Sequence, residues 1–284
     1  MKQGADLAHV ICEPAAGNII KTYSPDLIVH TDLGPDSTEQ SITDLYDSLL
    51  PRLHVLVIGP GLGRSKHMQL AAKVAIQQAI QKGIYIVIDA DGLWLCQNDP
   101  NIVKGYDKAV LTPNVVEFGR LCDAVNLEQD QDKETLAARL ADALGGVTIL
   151  QKGSIDRITN GTTTRTLINS VQGSFRRCGG QGDVLSGSVG TFLSWALSWK
   201  NEFDQTRQDK EEQSEFSDVP LTLLAAYAGS TLTRTASRIT FGRLKRSMQT
   251  SDMLDDIGTA FEEVFSDQQE DSKAATSMMT KSKV

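Results

Sequence analysis

The alternation of short apolar runs with helical patterns constrains the fold of this chain more than any other feature. The runs, rich in Val, Ile and Leu, occupy residues 55–58, 84–88, 109–111 and 147–150. Runs this short and this apolar are typical of strands that are buried on both faces. Helical patterns over 67–82 and 135–144 lie between them. We therefore predict an α/β fold, with a central, mostly parallel sheet flanked by helices on both faces.

The pattern changes after residue 150, where shorter strands are predicted over 157–159 and 166–169. They meet around Asn160-Gly161, a dipeptide suited to a tight hairpin turn. Further on, 183–197 and 221–234 combine small and apolar residues and are predicted to be helices packed against the sheet.

The length of 284 residues, of which 40% are apolar, suffices for one large core. We predict a single domain over 1–266. The charged stretch 200–218 is predicted to be a solvated loop insertion. The polar segment 267–284 is predicted to be a disordered tail.

The net charge of −8 argues against a nucleic-acid partner, because phosphate backbones are bound by clustered Lys and Arg. No apolar stretch approaches the length of a membrane span. The four cysteines form no C-x-x-C pair and are interpreted as reduced thiols. We therefore expect small-molecule partners and a cytoplasmic location, with a mitochondrial form as the open alternative.

A glycine-rich string stands directly before a predicted helix and is the strongest functional signal. Residues 173–183 read Gly-Ser-Phe-Arg-Arg-Cys-Gly-Gly-Gln-Gly-Asp. Glycines let successive N–H groups converge on an oxyanion, and a helix N-terminus adds positive potential, so the string predicts a cradle for a terminal phosphate. Asp183 would then stand close enough to take a proton from an attacking hydroxyl. The alternative is that Asp183 is a helix N-cap and the glycines a sharp turn.

Four further motifs precede this string in the chain. They are Gly-Pro-Gly-Leu-Gly-Arg at 59–64, Asp-Ala-Asp-Gly-Leu-Trp-Leu at 89–95, Leu-Thr-Pro-Asn-Val-Val-Glu-Phe at 111–118 and Gln-Lys-Gly at 151–153. Together, in this order and over about 4–265, they resemble the eukaryotic ATP-dependent NAD(P)H-hydrate dehydratase family. The resemblance implies a ribokinase-like fold and a lyase that converts the S form of hydrated NADH or NADPH back to the reduced dinucleotide. It further implies ATP as co-substrate, Mg²⁺ as cofactor, and phosphorylation of the ring hydroxyl before elimination.

The same resemblance assigns two groups of site residues. The hydrated dinucleotide would contact Asp183 and the residues Gly61, Asn114, Val115, Val116, Glu117, Phe118, Gly119 and Arg120. ATP would be held by Lys152, Gly153, Ser154, Ile155, Asp156, Gly173, Ser174, Phe175, Arg176, Arg177, Cys178, Gly179, Gly180, Gln181 and Gly182. Asp183 would be the catalytic base.

Considered without the resemblance, several of these residues have a second interpretation. Asn114 and Glu117 are spaced for a helix capping box, although Glu117 could also orient Mg²⁺ through water. The loop that starts at Gly59 is not a Rossmann dinucleotide loop, because Arg64 stands where that motif requires glycine. Lys152 at a strand end could meet a nucleotide phosphate or could be merely solvated. The Asp89 and Asp91 pair is left without a role, and Cys178 is interpreted as structural.

Members of the family carry a longer segment, with a first strand and a Tyr-Thr-Gly-Ala-Pro motif, ahead of a helix that ends in Gly-Ala-Asp-Leu. In this chain that tetrapeptide occupies 4–7. We therefore expect Met1 to fall inside that helix, which would remove one strand and one loop of the substrate crevice. An uncovered sheet edge would also favour association into oligomers. Two alternative functions stay open: another ribokinase-like small-molecule kinase, which would share the fold and the glycine-rich loop, or, because of the shorter N-terminal segment, a nucleotide-binding protein without turnover.

Overall fold

The computed structural model describes residues 2–129, 134–161, 166–206 and 219–266, with the backbone alone described over 202–206. Its strands are β1 (Ala8–Ile11), β2 (Leu27–His30), β3 (Val55–Ile58), β4 (Tyr85–Ile88), β5 (Ala109–Leu111), β6 (Thr148–Gln151), β7 (Asp156–Thr159) and β8 (Leu167–Asn169). Its helices are α1 (Pro14–Ile20), α2 (Glu39–Leu49), α3 (Lys66–Lys82), α4 (Ala90–Asn98), α5 (Val115–Ala124), α6 (Leu136–Ala143), α7 (Gln181–Thr206), α8 (Leu221–Leu244) and α9 (Thr250–Phe265).

Six strands form the main sheet in the order β3-β4-β5-β6-β7-β8. The first four are parallel, while β7 pairs antiparallel with both β6 and β8. The predicted mostly parallel sheet and the hairpin are therefore confirmed. The prediction of a tight turn at Asn160-Gly161 is wrong, because the strands end at Thr159 and resume at Leu167.

Side chains alternate between the two faces of the sheet, and helices cover both. Ile86 and Ile88 of β4 pack in a core with helices α3 to α6. Val87, between them, packs on the opposite face with residues of α7 and α8. Because each face of the parallel strands meets its own helical layer, these strands are uniformly apolar rather than alternating. The prediction of helices on both faces is confirmed.

Strands β1 and β2 form a separate, two-stranded parallel sheet. A cavity of about 640 Å³ lies between β1 and β3 and is lined by every residue of both strands, with α3 and α7 on either side. Val57 lines it and is 41% exposed, although the sequence pattern predicted a buried strand. Residues 2–7 form turns and irregular structure, so the expected helix end at 4–7 is absent from this described stretch.

Helix α7 continues to Thr206. The predicted loop over 200–218 is therefore wrong for 200–206, because the helical pattern of α7 extends into the charged residues. The remainder of that stretch and the predicted tail 267–284 lie outside the described residues. Within the described part of the chain, no helix is long and apolar enough to cross a membrane.

Candidate functional site

The glycine-rich string leads into the first turn of α7. Gly180 adopts φ +88°, a left-handed conformation that glycine tolerates, and its carbonyl accepts hydrogen bonds from the backbone N–H groups of Asp183 (3.0 Å) and Val184 (3.2 Å). The helix begins at Gln181, so Asp183 lies in its first turn, and the alternative interpretation of Asp183 as the N-cap is wrong. N–H groups at such a terminus have no partner within the helix and favour an anion.

The string is fixed from the side by α8 and by the start of α9. The backbone N–H of Ser174 donates to Ser237 Oγ at 3.1 Å, and Thr250 Oγ1 donates to the carbonyl of Gly179 at 2.6 Å. Cys178 Sγ lies 3.4 Å from the carbonyl of Met248. This contact accords with a structural role for the thiol. Phe175 remains 80% exposed and meets Phe241 edge-on, with ring centroids 5.9 Å apart.

A hollow of about 470 Å³ opens between the string and the start of α9. Its lining consists of Arg176, Arg177, Cys178, Gly179, Met248, Gln249, Thr250 and Ser251. The last four were missed by sequence reasoning. Their one signal was the helix start itself, where the N-cap Gln249 and Asp252 form a capping box.

A buried ion pair underlies the first turn of α7. Asp89 is 2% exposed, and its Oδ1 accepts hydrogen bonds from Lys152 Nζ at 2.8 Å and from the N–H of Ala90 at 2.9 Å. A Cβ on Gly182 would lie 3.3 Å from Asp89 Oδ2 and 3.5 Å from Lys152 Nζ. The fold therefore brings Lys152, Gly182 and Asp183 together, and it adds Asp89.

Asp183 is exposed to solvent beside this ion pair. Partial burial, followed by the negative charge of Asp89, raises the pKa of Asp183 above its ordinary value, while the ammonium of Lys152 acts in the opposite direction. A carboxylate with a raised pKa binds a proton more readily, which suits a general base.

The loop after β3 approaches the backbone of α4 closely. Gly59 has φ +122°, and a Cβ there would stand 1.7 Å from the carbonyl oxygen of Asp89. Asp91 accepts hydrogen bonds from the N–H of Gly63 (3.1 Å) and from Arg64 Nε (3.0 Å). Gly61 has no atom within 4 Å of its would-be Cβ, so this predicted substrate residue faces open space. Asp89 and Asp91 each pair with a cation.

The segment after β5 forms the capping box that the sequence allowed. Asn114 Oδ1 accepts hydrogen bonds from the N–H groups of Val116 (2.9 Å) and Glu117 (3.0 Å), and Glu117 Oε2 accepts one from the N–H of Asn114 (2.8 Å). Val115 and Val116 are 65% and 61% exposed. They form an exposed apolar surface at the start of α5.

The other predicted residues of this segment divide between core and surface. Phe118 is buried in the core on one face of the sheet, so its side chain is not available to a ligand at the surface. The carbonyl of Gly119 accepts a hydrogen bond from Gln129 Nε2 at 3.0 Å, while Arg120 is exposed.

A partly buried arginine holds the loop from Gly153 to Asp156 in place. Arg234 donates to both carboxylate oxygens of Asp156, at 2.8 Å and 2.6 Å, and to the carbonyls of Gly153 and Ser154. Asp156 also accepts a hydrogen bond from the N–H of Gly153 at 2.9 Å. Its carboxylate therefore organises the loop, whereas Ser154 and Ile155 are exposed.

Comparison with known proteins identifies the family of this chain. A sequence profile described as NAD(P)H-hydrate dehydratase matches residues 1–257. The ATP-dependent (S)-NAD(P)H-hydrate dehydratase of Mycosarcoma maydis is 46% identical over 271 residues, which cover 95% of this chain and 77% of that protein. The Mus musculus protein of the same name is 43% identical over 268 residues, covering 93% and 73%. This chain belongs to the NAD(P)H-hydrate dehydratase family.

Solved structures show the fold of this family member. A protein from Streptococcus mutans matches with a TM-score of 0.67 at 17% identity, covering 92% of this chain and 82% of its own. A ribokinase-like superfamily protein from Enterococcus faecalis matches with a TM-score of 0.65 at 22% identity, covering 92% and 78%. The predicted ribokinase-like fold is confirmed.

Proposed function

We propose that this chain catalyses the ATP-dependent dehydration of the S form of hydrated NADH and NADPH, which repairs these dinucleotides. The names of its relatives support this reaction. The observation that carries it is the meeting of Lys152, Asp183 and the glycine-rich string at the N-terminus of α7. An anion site, a cation and a base with a raised pKa are the three elements that phosphoryl transfer to a hydroxyl requires.

The two substrates would enter from the edge where the parallel strands end. Loops after β3, β4, β5 and β6 carry Gly61, Asp89, Asn114 and Lys152, and carboxyl ends of parallel strands share one edge of a sheet. The dinucleotide would lie over Gly61 and the exposed Val115 and Val116. ATP would lie between the string and the start of α9, with its terminal phosphate at the first turn of α7.

In the proposed reaction, Asp183 accepts the proton of the ring hydroxyl while that oxygen attacks the terminal phosphorus of ATP, and ADP leaves. The resulting phosphate ester is a better leaving group than hydroxide. Cleavage of its C–O bond, with loss of a proton from the adjacent ring carbon, releases phosphate and restores the dihydronicotinamide. The ammonium of Lys152 would stabilise charge on the transferred phosphoryl group.

Mg²⁺ fits this site in the manner usual for nucleotide enzymes. The ion is commonly held by phosphate oxygens, water and one or two carboxylates, and needs no cage of protein ligands. In the described part of the chain, no three or more His, Cys, Asp or Glu side chains form a group that could hold a metal ion. Glu117 would hold Mg²⁺ through water, and the ion would neutralise phosphate charge.

The proposal is tested by incubating hydrated NADH with ATP, Mg²⁺ and the purified chain and following the absorbance of the NADH that is restored. We expect recovery coupled to ADP release, and Asp183→Asn in the same chain is the matched control. ADP release with thiazole or pyridoxal alcohols but not with the hydrate would favour a small-molecule kinase. That alternative shares the fold, since a hydroxyethylthiazole kinase from Pyrococcus horikoshii matches with a TM-score of 0.57 at 15% identity. ATP binding without turnover on any of them would favour a non-catalytic nucleotide-binding protein.

A further inference from the structure

The Asp89–Lys152 ion pair joins two strand ends beneath the candidate catalytic group. Asp89 follows β4 and is the N-cap of α4, while Lys152 follows β6. Their side chains are 3% and 18% exposed, and the Oδ1–Nζ distance is 2.8 Å. Neither the sequence motifs nor the family resemblance gives Asp89 a role.

We propose that Asp89 is a positioning residue, which holds the ammonium of Lys152 against the first turn of α7 and places a negative charge beside Asp183. This inference rests on the function proposed above. It concerns how the base and the cation of that reaction are held in place, and Asp89 itself touches neither substrate.

Geometry supports the positioning role first. The carboxylate is itself fixed, because Oδ1 accepts the N–H of Ala90 at the start of α4. The backbone N–H of Lys152 donates to the carbonyl of Pro113 at 2.9 Å, so both ends of the lysine are held. Gly182 lies over the pair with no side chain between them. A cation held at both ends loses little freedom when phosphate arrives, which lowers the cost of reaching the productive geometry.

Electrostatics supports the second part of the proposal, that Asp89 places a negative charge beside Asp183. The charges that act on Asp183 come from different elements, Asp89 at the start of α4 and Lys152 at the end of β6. Asp91 and Asp156 pair with cations other than Lys152, namely Arg64 and Arg234. Asp89 is buried, so its repulsion of the ionised form of Asp183 is weakly screened by solvent. Its charge therefore favours proton uptake by Asp183.

The direction in which each charge shifts the pKa of Asp183 can be measured without any substrate. We would follow the carboxyl carbon of Asp183 by ¹³C NMR across pH in the unliganded chain, assigned by loss of the signal in Asp183→Asn. Asp89→Asn keeps the cap and removes one negative charge, so the pKa of Asp183 should fall. Lys152→Met removes the opposing positive charge, so the pKa should rise. Asp91→Asn, on the same helix but paired with Arg64, is the control and should leave the titration in place.

Kinetics supplies the second readout. In Asp89→Asn, turnover should fall roughly 10- to 100-fold through misplacement of Lys152, while the KM for ATP changes by less than about threefold. The acidic limb of kcat/KM should move to lower pH along with the pKa of Asp183. Asp89→Glu retains the charge but not the geometry, so it should lower turnover. The acidic limb of the kcat/KM profile should then stay close to its position in the parent chain.

An unchanged Asp183 titration in both Asp89→Asn and Lys152→Met would overturn the proposal, even if Asp89→Asn lowered the melting temperature. That result would make the pair a purely structural ion pair. Should Asp89→Asn not fold, Asp89→Glu decides instead, and parental turnover in that variant would overturn the positioning role. If the parent chain lacked dehydratase activity, the proposed function would fail, whereas opposite shifts in the two variants would still support the electrostatic arrangement.

Discussion

Replacing Gly182 with valine probes the proposed phosphate site where the first turn of α7 lies over the Asp89–Lys152 ion pair. The Cβ alone would stand 3.3 Å from Asp89 Oδ2 and 3.5 Å from Lys152 Nζ. Valine adds two methyl groups with restricted rotamers in a helix, so at least part of this bulk must enter the space between the helix turn and the ion pair. The change therefore crowds the cation and screens the N–H groups from phosphate.

The magnitude follows from the crowding. Overpacking by a few carbon atoms costs about 1–3 kcal/mol. If this free-energy cost appears entirely as lost ATP affinity, it corresponds to roughly 5- to 150-fold weaker binding. Loss of the phosphate contact itself adds to this, so we expect Gly182→Val to bind ATP at least about 100-fold more weakly than the parent.

Titration calorimetry with ATP measures the affinity, and thermal unfolding checks that the variant is folded. Gly187→Val is the matched control, because Gly187 lies on the same helix and has no atom within 4 Å of its would-be Cβ. It should keep parental ATP affinity at a similar change in helix propensity. Parental affinity in a folded Gly182→Val would refute the phosphate site.

Three further predictions concern other residues. Asp183→Asn should keep ATP affinity within a few fold while turnover falls roughly 10²-fold, the loss expected for a general base; turnover close to the parental value would remove Asp183 from the mechanism. Gly59→Ala should destabilise the fold by more than about 3 kcal/mol in urea unfolding, since its Cβ would collide with the Asp89 carbonyl; a loss below 1 kcal/mol would mean that the loop moves freely. Arg234→Met should cost about 3–5 kcal/mol at neutral pH, because it leaves the buried carboxylate of Asp156 unpaired; equal urea midpoints would show that this ion pair does not stabilise the fold.

The sequence determined those features that depend on local periodicity and on local turns. Strands β3 to β6 were predictable because a parallel strand buried on both faces must be apolar throughout. The glycine-rich string could be placed at a helix start because its glycines and the following small residues are contiguous. Asn114 and Glu117 are three residues apart, so their capping box was also visible.

Tertiary structure alone decided the features that join distant segments. Asp89 and Lys152 are 63 residues apart, and Asp156 and Arg234 are 78 residues apart. The sequence motif that contains Asp89 and Asp91 gave neither residue a role, yet the fold pairs Asp89 with Lys152 and Asp91 with Arg64. Likewise, the residues 248–251 reach the string because α8 and α9 fold back on it. A side chain's partner depends on which strand ends become neighbours, and that is set by packing of the whole sheet rather than by any local pattern.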